Sequence, residues 1–323
     1  MLDLKFRSAV YLNGNYLVKT SSYGNSFFSV SKRALRIGEE LYSEFPDSID
    51  LKISNRCSHG CPFCHESSIK DGDILDLEKT KQILSQLPQK PIEIAIGGGN
   101  VLECLEETSD IIKWIEDRGY LTRLTITLGD LNSTKDMDKD KEIKKVLSMV
   151  SGIGISITSP LSSKMKRKGI LRETDLGEYL EFGPSIVYHV IAGITPLEDI
   201  RWLIEKENSV LILGYKQWGR AINTKLPDMN PLKDYFKDLF KGKPTGRGNI
   251  GFDNLAIEQL GIKELLGESL WNKIYLGDEG TCSMYIDAVK GEFARTSRSP
   301  ERISWDKIKL LDYYASLNPK RKI

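Results

Sequence analysis

Residues 50–64 read Asp50-Leu51-Lys52-Ile53-Ser54-Asn55-Arg56-Cys57-Ser58-His59-Gly60-Cys61-Pro62-Phe63-Cys64. The first six residues form a short β run that leads straight into three cysteines. Thiolates are soft ligands, suited to iron–sulfur clusters and to zinc. Three of them, spaced C-x3-C-x2-C, cannot close a tetrahedral structural site or fully ligate a four-iron cluster. One metal position therefore stays open, the mark of a catalytic rather than a structural centre. A loop at the C-terminal end of a strand is also where parallel α/β folds place their active sites.

Outward from this stretch, β runs alternate with helical runs. The pattern predicts a helix over 76–87, capped by Asp76 and stopped by Pro88. A strand over 91–96 ends in Gly97-Gly98-Gly99, and a helix over 102–118 is closed by Gly119. Strands follow over 121–128, 152–158, 185–192 and 210–215. Helices are predicted over 138–149, 173–182, 196–206 (capped by Thr195) and 231–240. About six β–α units in series imply a parallel sheet with right-handed crossovers, an open sheet or a barrel. Upstream, residues 1–45 read as short strands turning at Asn13-Gly14-Asn15, then a helical stretch from Ser31 to Phe45 ended by Pro46. Downstream, 241–251 reads as a basic loop, 254–267 as helix, 284–294 as a hairpin turning at Lys290-Gly291, and 304–317 as a last helix. Three segments result: an N-terminal β-containing cap over 1–49, an α/β core over 50–240, and an α+β extension over 241–323 that covers the mouth of the core.

Bulk composition narrows the function classes. The chain has 323 residues, 40% hydrophobic and 28% charged, with 46 basic against 45 acidic residues and a net charge of +1. This is ordinary for a soluble globular protein, and nucleic acid is not indicated. The first twenty residues carry no basic region followed by a long apolar run, and no stretch of 18 apolar residues occurs, so a cytoplasmic protein without membrane contact is expected. The cysteines number five. An odd count without a secretion signal argues for metal or redox use of the clustered three rather than for a disulfide framework.

The motif Cys57/Cys61/Cys64 directly after a first strand, with aromatic Phe63 before the third cysteine, resembles the signature of the radical S-adenosylmethionine (radical SAM) superfamily. The resemblance implies a partial (β/α)6 barrel. It implies that the three cysteines are metal ligands to one [4Fe–4S] cluster whose fourth iron chelates the methionine moiety of S-adenosyl-L-methionine. It also implies reductive cleavage to a 5′-deoxyadenosyl radical that abstracts hydrogen from a substrate, hence an oxidoreductase or transferase fed by a flavodoxin- or ferredoxin-type electron donor. Gly97-Gly98-Gly99-Asn100 is similar to the family's Gly-Gly-Glu motif, with Asn100 where Glu is usual. By the same resemblance Ser156 and Thr158 face the ribose or carboxylate, and Ile191 and Leu213 face the adenine. The substrate is left unidentified.

Other readings stand beside this one. A zinc knuckle would use His59 or His65 as fourth ligand, and Cys61-Pro62-Phe63-Cys64-His65 has the spacing of a c-type haem site. A metal-stabilised module that binds S-adenosylmethionine or another ligand without turnover is the alternative function. Cys104 reads as a small buried hydrophobe. Cys282 stands in a segment similar to the hairpins that hold an extra cluster in some family members. One thiol cannot hold a second cluster, which leaves lining the substrate cavity or supplying a hydrogen atom as the functional reading of Cys282, with the catalytic residues otherwise unassigned. Tyr215, Lys216, Trp218 and Arg220 follow the last strand, where they would grip an anionic or planar substrate or form a solvated loop.

Overall fold

The computed structural model describes residues 6–23, 27–34, 41–132, 134–180, 184–206, 208–242, 249–275 and 277–317. The chain opens with an antiparallel meander, β1 (Phe6–Asn13), β2 (Tyr16–Tyr23) and β3 (Phe27–Ala34). The helix expected from Ser31 is absent from the described residues. Residues 31–34 belong to β3 and 41–45 carry no helix, while 35–40 lie outside the described residues. Pairing across the meander, Val18 with Lys32 and Tyr16 with Ala34, satisfies the backbone and overrides helix propensity. The meander meets the rest of the molecule at Asp47, whose carboxylate accepts hydrogen bonds from Asn13 and Tyr16 and pairs with Lys32 at 3.0 Å. Asp47 directly precedes the cysteine-bearing strand. The meander therefore sits at the end of the barrel strands opposite the cysteines and does not cover the mouth.

The second sheet holds β4 (Ser48–Ser54), β5 (Glu93–Gly98), β6 (Leu121–Thr127), β7 (Gly152–Ser156), β8 (Ser185–Ile191), β9 (Val210–Leu213), β10 (Ile250–Phe252), β11 (Ser283–Asp287), β12 (Glu292–Ala294) and β13 (Ile303–Ser304). Its order is β10-β9-β8-β7-β6-β5-β4-β11-β12-β13. The six expected strands, β4 to β9, stand side by side and parallel. The C-terminal segment adds a parallel strand at each flank, β10 beside β9 and β11 beside β4.

Side chains alternate across this sheet. One face carries Ile94, Ile96, Leu124, Ile126, Ile153, Ile155, Val190 and Ile212, all buried. Against it lie α1 (Leu77–Leu84), α2 (Leu105–Asp117), α3 (Met137–Met149), α5 (Leu197–Glu205) and α6 (Asn230–Lys241), whereas α4 (Ser163–Lys168) buries no residue and pairs with α5 through Lys166 and Asp199. The other face presents Glu93, Ala95, Thr125, Gly154, Val187 and Leu211, and these line a single cavity together. With Asp50 of β4 also on the cavity wall, inward residues of six successive strands share one cavity, which requires that the sheet curl around it, so the architecture is a partial barrel.

Three local details differ from expectation, the first being the last helix, which spans only Leu310–Ser316 of 304–317 because Ile303–Ser304 pairs with β12. The helix expected over 173–182 is replaced by α4 and two 3-10 turns, 171–173 and 177–180, with 181–183 outside the described residues. Here Glu173 is drawn to Lys164 at 2.5 Å and Lys168 at 3.3 Å, which folds the chain back on α4. Thr195 does not cap α5. Its hydroxyl accepts from the Ile191 N–H and donates to the Ile157 carbonyl, tying the ends of β7 and β8 together. Asp76 does cap α1, accepting from the Lys79 N–H at 3.0 Å. Among the described residues no helix is long and apolar enough to cross a membrane.

Candidate active site

β4 ends at Ser54 and releases the chain into the cysteine loop. Main-chain bonds shape this loop: Asn55 N–H to Asp73, Ile69 N–H to Asn55, and Cys57 N–H to Ile69, all at 2.8–3.0 Å. Cys57, Cys61 and Cys64 are free thiols, each half-buried. The Cys64 N–H donates to the Cys61 carbonyl, and the main-chain N–H of His59 points at the Cys57 sulfur. Burial pushes the Cys57 and Cys61 thiols up; the His59 N–H opposes this at Cys57, and the Arg220 guanidinium opposes it at Cys61. Under the loop, buried Lys52 bonds Glu66 at 2.6 Å and Asp287 at 3.3 Å, linking β4 to β11. Burial works against ionised Glu66, but Lys52, through its charge and its hydrogen bond, leads the opposing effects that hold the carboxyl below its usual range.

The end of β5 lies against the base of this loop. The Gly99 and Asn100 N–H groups donate to the Ser54 and Arg56 carbonyls at 2.6 and 2.7 Å. Gly98 takes a φ of 121°, and a Cβ on Gly98 or Gly99 would overlap the Ser54 or Arg56 carbonyl oxygen. Gly97 differs, because a Cβ there would meet nothing within 4 Å. Its bare Cα faces open cavity. The Asn100 side chain is occupied twice. Its Oδ1 accepts from the Leu102 N–H at 3.0 Å, and its Nδ2 donates to Asp130 at 2.9 Å and lies 3.1 Å from His59 Nε2. His59 Nε2 is also 3.0 Å from Asp130. Asn100 thus ties the cysteine loop to the end of β6, and Asp130 brings a carboxylate to the cavity wall beside it.

The cavity measures about 900 Å³. It is lined by Cys57, Cys61, Cys64 and Phe63, and by Gly97, Gly98, Gly99 and Asn100. Ser156 and Thr158 from β7, Ile191 from β8 and Leu213 from β9 line it too. Every residue proposed from sequence as a cofactor or metal contact therefore borders one space. Cys282 does not. It is 6% exposed, packed in the core, and its carbonyl accepts from the Asp47 N–H at the opposite end of the strands. The expectation that Cys282 lines the cavity or supplies hydrogen is corrected by this placement. Cys104 is buried at the start of α2, as a small hydrophobe would be. Of the loop after β9, Tyr215 and Lys216 reach the cavity wall, Trp218 is 44% exposed, and Arg220 is turned onto the cysteine loop. The basic loop expected near 241–251 falls mostly on 243–248, outside the described residues.

Sequence reading missed the inner charges. Arg123 pairs with Glu93 at 2.7 Å on the cavity wall. Asp50, the third residue of β4, is reached by water from the cavity although protein surrounds it. Burial, then the negative charge of Glu279, raises its carboxyl to about 6, with Lys216 opposing. Burial, then Arg123, lowers His189 to about 4; burial, then Lys216, lowers His65 to about 4. Both imidazoles are neutral at pH 7. Among the described residues no three His, Cys, Asp or Glu side chains converge on a point that one metal ion would occupy. Ligands of a four-iron cluster each bind a different iron and do not converge in that way.

No family model and no curated protein matches the sequence. Solved structures do. SuiB of Streptococcus suis, with its precursor peptide SuiA bound, superposes with a TM-score of 0.58 at 16% identity over 84% of this chain and 65% of SuiB. SuiB bound to S-adenosylmethionine gives 0.57 at 14% identity, over 85% of this chain and 68% of that one. Native anSMEcpe with bound AdoMet gives 0.52 at 12%, over 84% and 80%. This chain thus spans about two thirds of the length of SuiB. At such identities the likeness is one of fold, shared with two proteins whose structures hold S-adenosylmethionine.

Proposed function

We propose that this chain is a radical SAM enzyme. One juxtaposition carries the reading: Cys57, Cys61 and Cys64 share a cavity with Gly97–Asn100, Ser156, Thr158, Ile191 and Leu213 at the C-terminal ends of the strands. The residues fit the groups implied. Three soft thiols leave one metal position open. The open space at Gly97 admits a ligand against the main chain, and the cavity lies within the size range of cofactor pockets. Bound there, a [4Fe–4S] cluster and S-adenosylmethionine would supply reductive C–S cleavage and hydrogen-atom abstraction, with the electron coming from a flavodoxin- or ferredoxin-type donor. The chain's own residues bind, orient and shield. Asn100 and Asp130 brace the cysteine loop. Asp253, Glu279 and Ser297, from the 241–323 segment, line part of the cavity wall. We read 50–240 as the catalytic barrel, 241–323 as the cover of its mouth, and 1–49 as a separate N-terminal unit. The mixed charge of the inner wall, Asp50 and Glu279 with Lys216 and Arg123, suits a polar substrate better than a lipid tail.

Anaerobic reconstitution is expected to give about four irons per chain, with 5′-deoxyadenosine released only when dithionite is present. A Cys61→Ala variant that still released it would overturn the reading. Zinc in place of iron, or S-adenosylmethionine bound and never cleaved, would favour a ligand-binding module without turnover.

A further inference from the structure

Among the described residues the end strands of the sheet, β10 and β13, do not pair with each other, and the loop that follows β9 reaches across to the cysteine loop. The loop after β9 runs from Gly214 to Thr224. Behind it, Gln259 of a helix over Asn254–Leu260 clasps both main-chain groups of Tyr215, at 2.8 and 2.9 Å. The Gly214 N–H donates to Asp253, and the Tyr215 hydroxyl bonds Thr224 at 2.6 Å. Held from behind, the loop presents Gly219 and Arg220 forward. Gly219 has a φ of 59°, and a Cβ on it would stand 2.5 Å from the His65 carbonyl oxygen. Arg220 donates three bonds to carbonyls of the cysteine loop: N–H to Cys64 at 3.0 Å, Nε to Cys61 at 2.9 Å, and Nη1 to Ser68 at 2.6 Å. Only a rigid planar fork reaches Cys61 and Ser68 at once. Among the described residues no carboxylate pairs with Arg220, so its charge meets only carbonyl dipoles.

We propose that Arg220 is a positioning residue for the metal centre: it fixes the main chain that carries Cys61 and Cys64, and its uncompensated positive charge favours one-electron reduction there. The inference rests on the radical SAM reading. On reduction one electron passes from the reductant to the centre, whose net charge falls by one, and a fixed cation nearby stabilises the added charge. Geometry and charge separate by substitution. Lysine keeps the charge but cannot span two carbonyls with a fork, whereas glutamine loses the charge as well.

The test compares reconstituted wild type, Arg220→Lys and Arg220→Gln, using dithionite with redox mediators and electron paramagnetic resonance, without substrate. A second readout is loss of iron to an external chelator. Both variants are expected to lose iron several-fold faster than wild type. Only Arg220→Gln should also fall in its reduced-to-oxidised ratio at fixed potential, by about tenfold, which is 59 mV for one electron. Arg220→Gln behaving as wild type in both measurements overturns the inference while leaving the cluster reading intact. Equal ratios in Gln and Lys variants overturn the electrostatic part. A wild-type chain that takes up no iron overturns the cluster reading itself.

Discussion

Asp50 shows how a single residue records the barrel's interior. Its carboxyl is held at about 6, so the folded chain keeps a proton there that the unfolded chain releases near pH 4. Folded stability should therefore fall as pH rises from 4 to 6, and stay reduced above that. Asp50→Asn removes the cost of ionisation. We expect it to match wild type in urea unfolding at pH 4 and to exceed it at pH 8 by about 1 kcal/mol, a modest figure because cavity water screens the charge. A difference independent of pH would contradict this. The inward positions were legible in principle. In Pro91–Ile96, Glu93 and Ala95 alternate with Ile92, Ile94 and Ile96. Parallel strands are usually apolar on both faces, and that habit hid a polar inner wall which the two-residue period states openly.

At the scale of elements, the end of β5 does two jobs with three glycines. Gly99→Ala drives a Cβ into the Arg56 carbonyl and should cost about 1–3 kcal/mol in chemical denaturation. Gly97→Ala meets open space and should leave stability within about 0.5 kcal/mol of wild type. It should nonetheless weaken S-adenosylmethionine in equilibrium dialysis by roughly tenfold, about 1.4 kcal/mol. Equal effects of the two substitutions on both measurements would contradict this division. The glycine run was visible in sequence, and so were strands β4 to β9 and most helices between them, because each carries its own apolar period and its own stop. The stretch after Ser31 was misread for the opposite reason. Its Lys and Arg residues suit a helix locally, while a partner strand decides otherwise.

The whole molecule is held by pairings that no local signal announces. The hairpin over 284–294 was readable, but its place beside β4 was not, since Ser283 pairs with Ser48 (283 − 48 = 235 residues apart). Lys52 seals that joint through Asp287. The C-terminal segment thus pairs with both flanks of the six-strand sheet. Deleting residues 278–323 should abolish cooperative thermal unfolding and leave 48–277 open to limited proteolysis. A truncated chain that melts as sharply as the full one would contradict this.

The same pairing sets a clock on the ribosome. At 5–20 residues per second, the strand that leads into the three thiols waits roughly ten to fifty seconds for its second neighbour to be made. For that interval it is an unpaired edge, and the thiols beyond it are displayed on a half-built wall. On the radical SAM reading, cluster loading is expected to follow translation, and a nascent chain stalled before residue 283 should carry its cysteines reduced and empty.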